Sequence, residues 1–235
     1  MSLLTIVQNA TDGLTGVTRP VNVIASTDEN VRLLLRLANL EGQDLAQRHA
    51  WQQLNREASH TTLAAQDQGD ITTVAGPDFD WIVPDTMWNT TLQQAVPGPL
   101  SPQERRMLLA RTEAGAHFAW WLSGGRVNFY PKPAAGQTVT FEWQSRNWCE
   151  NVGGIGQSVW TSDNDVARLD EELITLGVIW RFLKSKGLDY SEEFRSYEMR
   201  LANRIGRDGG RRALNMGGGR AAFGAPFVPE GSWGV

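Results

Sequence analysis

The stretch STDENVRLLLRLANLEGQDLAQRHAWQQLNR, residues 26–56, carries the most regular pattern in the chain. At its start, STDE has the spacing of a capping box, with Ser26 as N-cap and Glu29 at the third helical position. The pattern predicts a long amphipathic helix that ends near Arg56. Its apolar side chains recur at the three- or four-residue spacing of one helix face: Val31, Leu34, Leu35, Ala38 and Leu45.

Helical spacing also marks both ends of the chain. A short amphipathic helix is predicted over residues 3–10, and a second long helix is predicted to start near Asp163 or Asp165 and to end at Gly187. The predicted buried stripe of this second helix is Leu169, Leu173, Leu176, Ile179, Trp180 and Leu183. A last helix is predicted over residues 190–207, with one apolar side formed by Phe194, Tyr197 and Leu201.

Between the helical regions the period of the pattern falls to two. The segment HFAWWLSGGRVNFYP predicts a hairpin that turns at residues 123–125. A short helix is predicted behind Ser101 as N-cap, with Pro102 as its first residue. Strands are predicted for short runs rich in Thr, Val and aromatic residues: 60–64, 71–74, 86–92, 116–122, 126–130 and 138–145.

These elements together predict an α+β fold. Residues 1–57 and 163–207 form a helical bundle core, because the amphipathic helices at the two ends must bury their apolar faces against each other. Residues 58–162 form a β-rich insertion subdomain. Residues 208–235 form an extended C-terminal arm, since LNMGGGRAAFGAPFVPEGSWGV has the glycine and proline content of a segment without regular structure.

Charge is divided unevenly along the chain. The formal net charge is −4, yet six arginines against Asp208 and Glu230 give the chain from Arg200 onward +4, which leaves −8 for the rest. An acidic body argues against nucleic-acid binding, and a basic arm suits an acidic partner. Cys149 is the single cysteine, so no intrachain disulfide is expected. The N-terminus lacks the pattern of a secretory signal and no window predicts a membrane span, so an intracellular protein is expected.

No residue pattern of a catalytic, cofactor or metal site stands out. The histidines His49, His60 and His117 lie far apart and are expected to be structural. GGIGQS lacks the Lys-Ser/Thr of a phosphate-binding loop, and a flexible loop is expected there. We therefore expect no enzyme. The weakest alternative is a metal-dependent hydrolase that uses Asp163, Asp165 and Asp170, although helix capping explains the first two equally well.

Tryptophan is abundant for a chain of this length, with 10 residues. Most of them fall in the predicted β region, where core packing is the first explanation. Aromatic residues on a sheet face also bind sugars, and they are enriched where proteins meet proteins. One alternative is therefore a carbohydrate-binding module with Trp120, Trp121 and Trp143 as a platform. The other is that some of these side chains lie in a subunit interface.

Several blocks resemble the head-to-tail adaptor (connector) proteins of tailed phages, of the tail tubular protein A type. The blocks are RHAWQQLNREAS, DFDWIVPDTMWN, GPLSPQERR, GGRVNFYPKPAAGQTVTFEWQSRNW and LDEELITLGVIWRFLKSKGLDYSEEFRSYE, followed by the glycine-rich C-terminus. The resemblance covers nearly the whole chain and implies a structural, non-enzymatic virion protein made in the host cytoplasm. An alternative is another tail or baseplate structural protein.

The resemblance also implies partners. Such adaptors form a homo-oligomeric ring, usually a dodecamer, beneath the portal protein, and genomic DNA passes through its channel without specific binding. The ring presents a platform for the tail nozzle or tail tube protein, and in several members the C-terminal segment is extended and inserts into the portal. No membrane is involved. The residues expected to dock the arm on the portal are Arg211, Arg212, Arg220, Phe223, Phe227 and Trp233.

Overall fold

The protein is described by a computed structural model that covers residues 1–110 and 119–209. Its α-helices are α1 Leu3–Asp12, α2 Glu29–Arg48, α3 Ile71–Ala75, α4 Pro102–Ala110, α5 Glu171–Ser185 and α6 Ser191–Asp208. Its strands are β1 Asn55–Thr61, β2 Asp67–Asp70, β3 Phe79–Ile82, β4 Trp88–Asn89, β5 Gln94–Ala95, β6 Ala119–Ser123, β7 Arg126–Tyr130, β8 Thr138–Ser145, β9 Cys149–Glu150, β10 Gly156–Gln157 and β11 Val166–Ala167.

The predicted α+β class is confirmed, with the helices of the two chain ends packed together. α5 contacts α1, α2 and α6, and their buried side chains form one hydrophobic cluster. A second cluster lies under the strands, around Trp120, Phe129, Phe141 and Trp143. The strands form a five-stranded sheet in the order β1-β8-β4-β5 with β3 also on β8, and two three-stranded sheets, β2-β7-β6 and β10-β9-β11. The predicted arm lies outside the described residues from 210 onward.

The chain after β8 returns to the helical cluster. Trp148, Cys149 and Trp160 are buried in it, although they fall in the stretch assigned to the β insertion. The indole of Trp148 lies over Gly42 of α2, where a Cβ atom would come within 2.4 Å of the ring. The helical core therefore includes part of the chain between the strands and α5. The division at residues 57, 162 and 207 stays a prediction.

Helix α2 is shorter at both ends than predicted. Asp28, not Ser26, is its N-cap and accepts hydrogen bonds from the N–H groups of Asn30 and Val31. The Ser26 hydroxyl instead accepts from the Asp28 N–H, and the Asp28 carboxylate lies next to the positive end of the helix. The helix ends at Arg48, because the backbone of His49 is extended and β1 then pairs with β8.

The predicted start of α5 near Asp163 or Asp165 was wrong. The N-cap is Asp170, which accepts from the N–H groups of Glu172 and Leu173. The end is confirmed, since Gly187 has a φ of +69° and the Leu188 N–H bonds back to the Leu183 carbonyl group. The predicted buried stripe was partly wrong. The buried residues of α5 are Leu173, Ile174, Gly177, Val178, Trp180 and Phe182.

Two of the predicted strands, 126–130 and 138–145, are confirmed as β7 and β8, and the β6–β7 hairpin turns at Gly124 and Gly125. The predicted strand at 71–74 was wrong, because the Asp70 carboxylate accepts from the Thr72 N–H and starts α3. The strand predicted at 60–64 lies earlier, at Asn55–Thr61, and the one predicted at 86–92 is limited to the two residues of β4. Of the strand predicted at 116–122, residues 116–118 lie outside the described residues. α4 begins as predicted at Pro102, and Ser101 and Glu104 cap each other.

A buried polar network holds α2, α5 and α6 together. Glu41 of α2 is fully buried, and its carboxylate accepts from Arg181 Nε at 2.6 Å and from the Tyr197 hydroxyl at 2.5 Å. Arg181 also pairs with Asp44. Burial raises the pKa of Glu41, while the hydrogen bonds from Tyr197 and Arg181 oppose the rise. Burial and the neighbouring Glu41 also raise the pKa of the Tyr197 hydroxyl, so it stays a proton donor.

Gly177 of α5 makes room for this network, which gives a first prediction. A Cβ atom there would lie 2.2 Å from Glu41 Cδ, so Gly177→Ala should destabilise the fold by about 1–3 kcal/mol despite its higher helix propensity. The matched control is Gly206→Ala in α6, where no atom lies within 4 Å; it should stabilise by up to about 1 kcal/mol. Urea unfolding of both variants measures the difference, and equal effects would contradict the close approach.

The raised pKa of Glu41 gives a second prediction, on pH dependence. Because the folded state binds this proton more tightly than the unfolded chain, its contribution to stability is present below the ordinary pKa of 4.5 and is lost as the pH rises above it. Glu41→Gln removes this titration. The free energy of unfolding of wild type minus that of Glu41→Gln should therefore fall as the pH increases from about 4.5. A rise over that window would mean that ion pairing outweighs burial.

Candidate functional site

The three acidic residues of the hydrolase hypothesis do not converge on a metal site. Asp163 accepts from the N–H groups of Val23 and Ile24, Asp165 from those of Thr161 and Ser162, and Asp170 caps α5 while lying 3.2 Å from Arg204. Within residues 1–110 and 119–209, no group of three or more His, Cys, Asp or Glu side chains is placed to hold a metal ion. The structure therefore removes the basis of that hypothesis and assigns these carboxylates to loop and helix-end contacts.

The other candidate reactive groups have packing or hydrogen-bonding partners. His49 follows the end of α2 instead of lying inside the helix, and its Nε2 is 3.4 Å from the Asp208 carboxylate. His60 in β1 lies 3.2 Å from Gln68 Oε1, whereas His117 is outside the described residues. The Cys149 thiol donates toward the Gln157 carbonyl group, and burial raises its pKa to about 12. A thiol with this pKa is protonated at neutral pH, so it behaves as a packed group.

The sugar-platform hypothesis was wrong, because its three indoles are buried. The exposed fractions are 1% for Trp120, 3% for Trp121 and 4% for Trp143. Trp120 and Trp143 belong to the core under the strands, and the Arg105 guanidinium lies over Trp121. Trp88 differs, since 40% of its surface is exposed. Most of the abundant tryptophan in the described residues therefore packs the two cores.

The end of α6 fixes the point from which the C-terminal residues leave the body. The Asp208 carboxylate is nearly buried, accepts from the Gln52 N–H at 2.9 Å and faces His49. A Cβ atom at Gly209 would lie 3.8 Å from the Gln52 side chain. The C-terminal residues thus start beside the short turn that leads into β1. All six arm residues expected to dock on the portal, from Arg211 to Trp233, lie outside the described residues.

The described residues also expose two apolar features. The turn between β9 and β10, predicted as a flexible loop, is hydrogen bonded: Asn151 Oδ1 accepts from the N–H groups of Gly153 and Ile155. It exposes Val152 by 78% and Ile155 by 66%. The second feature is a groove of about 710 Å³ along α2, lined by Ile24, Leu33, Leu35 and Val159 with Arg32 and Arg36 beside them. Both are surfaces suited to protein contacts.

The described residues thus combine an α+β fold with exposed apolar surfaces suited to protein contacts. Comparison with known families gives the particular family. Residues 1–222 match the family described as SU10 adaptor protein, and the chain belongs to that family. It is therefore a phage adaptor protein, a structural component of the virion that contacts other head or tail proteins. No curated protein matches the chain. No helix in the described ranges has the length and apolar content needed to cross a membrane.

The contacts of Asp208 give a third prediction. Asp208→Ala removes the acceptor of the Gln52 N–H and leaves that group without its partner, so it should destabilise the protein by about 1–2 kcal/mol. Hydrogen exchange should accelerate at Gln52 and in the last turn of α6. The matched control is Asp12→Ala, whose side chain is half exposed and pairs with Arg19. Asp12→Ala should lower the free energy of unfolding by less than about 1 kcal/mol. If Asp208→Ala lowers it by as little, the contact between Asp208 and Gln52 does not hold α6 in place.

Proposed function

We propose that this protein is a head-to-tail adaptor that assembles as a ring beneath the portal protein. The observation that carries the proposal is the match to the adaptor family over residues 1–222. The ring, a dodecamer of the tail tubular protein A type, extends the DNA channel and forms the platform on which the tail nozzle or tail tube protein docks. The protein acts by contact and not as an enzyme.

Charge supports a channel role. The chain before Arg200 carries a net charge of −8, and an acidic lumen does not attract the phosphates of a DNA that must slide through it. A closed ring needs two different surfaces on each subunit, because each subunit meets its neighbours through unlike faces. In this proposal the groove along α2 and the turn at Val152 and Ile155, both exposed and apolar, serve as these surfaces.

The C-terminal segment supplies the attachment to the portal in this proposal. It combines basic residues, Arg211, Arg212 and Arg220, with three large aromatic side chains, Phe223, Phe227 and Trp233. Arginine and aromatic residues are the types that most often dominate binding energy at protein interfaces. The segment starts beside Gln52 at the edge of the body, so it can extend away from the subunit without unfolding the core.

The test is a charge reversal of the arm, which is the fourth prediction. Arg211→Glu, Arg212→Glu and Arg220→Glu together should weaken binding to portal assemblies at least tenfold while leaving the thermal unfolding of the body unchanged. The matched control reverses three exposed arginines of the body, Arg19, Arg56 and Arg195. Mass photometry and negative-stain microscopy, with and without portal, measure attachment and ring formation.

Three outcomes would contradict parts of the proposal. If wild-type protein forms no ring on portal but joins tail or baseplate proteins, the adaptor position is wrong while the virion role stands. If portal binding persists after reversal of the three arm arginines, or after removal of residues 211–235, the docking residues lie elsewhere. A loss of folding on truncation would show that these residues pack on their own body.

A further inference from the structure

The outward face of the five-stranded sheet carries two carboxylates directly opposite each other. Glu57 of β1 is in register with Glu142 of β8. Successive residues of a strand point to opposite faces, and residues directly opposite each other share a face. The neighbours of Glu142 in β8, Phe141 and Trp143, point into the core. Glu57 and Glu142 therefore both point outward, and both are exposed.

These carboxylates lack a cationic partner in the described part of the chain. Neither Glu57 nor Glu142 belongs to any ion pair formed there within 4.0 Å. Asn55 Nδ2 donates to Glu142 Oε2 at 2.7 Å, which leaves the negative charge uncompensated. Like charges directly opposite each other destabilise a strand pair. A cationic ligand would relieve that cost.

Two tryptophans complete this surface on the other side of β8. Trp88 of β4 is in register with Thr140, and Trp81 of β3 with Gln144, so the two indoles lie on either side of the Glu142 position. Trp88 is 40% exposed and Trp81 is half-buried. We call Glu57, Glu142, Trp81 and Trp88 the acidic sheet face. Its chemistry fits a basic peptide with aromatic or guanidinium groups, since carboxylates pair with arginine and indoles stack with it.

We propose that the acidic sheet face holds residues 210–235 of the same chain. This segment is basic, with Arg211, Arg212 and Arg220 against Glu230, and it carries the aromatic residues Phe223, Phe227 and Trp233. It begins at the body next to Gln52, three residues before β1 enters the sheet. Fully extended, its 26 residues would span roughly 85 Å, so the whole face is within reach.

Docking on this face would regulate the arm. The arginines and aromatic side chains that pair with the sheet are those proposed to bind the portal, so the two contacts exclude each other. Docking lowers the fraction of subunits with a free arm, and the apparent affinity for portal falls by the same factor. The portal then displaces the arm from the sheet during assembly. This regulatory step rests on the proposed function, because it requires that the arm binds the portal. The docking of the arm on the acidic sheet face does not depend on portal binding.

The fifth prediction tests the contact in the full chain by trypsin cleavage. Glu57→Lys places a cation opposite Glu142 and neutralises the face, so cleavage after Arg211, Arg212 and Arg220 should become at least fivefold faster than in wild type. A second variant, Glu57→Gln with Glu142→Gln, should give the same increase and also removes the like-charge repulsion. The matched control is Glu192→Lys in α6, whose side chain is 80% exposed and which should leave cleavage unchanged.

The outcomes separate this inference from the proposed function. Equal cleavage rates in wild type and both sheet variants would overturn arm docking, even if portal binding is observed. Faster cleavage in the variants without any portal binding would support docking and refute the adaptor proposal. If protection of the wild-type arm rises with protein concentration, the occupant is the arm of a neighbouring copy and the assignment to the same chain is wrong. With both proposals correct, Glu57→Lys binds portal more tightly than wild type.

Discussion

The architecture depends on one constraint, the burial of the Glu41 carboxylate between three helices. A buried charge is costly unless it is paired and hydrogen bonded. Its partners come from two other helices, Arg181 from α5 and Tyr197 from α6, so the pairing fixes all three helices relative to one another. The absence of a side chain at Gly177 lets α2 approach α5 closely enough for these contacts. The core of the protein is thus set by polar geometry as well as by apolar burial.

The sheet is tied to this core at both ends, without a long linker. α2 ends at Arg48, Trp51 remains buried in the helical cluster, and β1 begins at Asn55. β8 is the strand that β1, β3 and β4 all pair with, and the chain beyond it returns to place Trp148 over Gly42 of α2. Motion of the sheet relative to the helices would therefore have to break buried aromatic contacts. The two cores behave as one support for the surfaces around them.

The sequence predicted the elements whose patterns are local. β7 and β8 were found because alternation is visible within a few residues, and α4 because Ser101 and Glu104 form a complete capping signal. The ends of α2 and the start of α5 were missed, because several polar residues compete for the N-cap and long-range contacts select one. The acidic sheet face has no local signal in the sequence. Glu57 falls in the stretch predicted as helical core, and the register that places it opposite Glu142 joins residues 85 positions apart.

Charge separation along the chain links the body to its C-terminal residues. Arginines are concentrated from Arg200 onward, and two of those in α6 pair with α5: Arg200 with Glu172 and Arg204 with Asp170. Two basic side chains of α6 therefore contact α5, and the arginines beyond residue 210 add basic charge to the C-terminal segment. A body with unpaired carboxylates and a basic segment attached to it attract each other at an effective concentration set by the connecting chain. A partner protein must bind the C-terminal segment more strongly than the body does. Charge alone would not give it that advantage, so the partner needs apolar contacts for the aromatic side chains as well as acidic groups for the arginines.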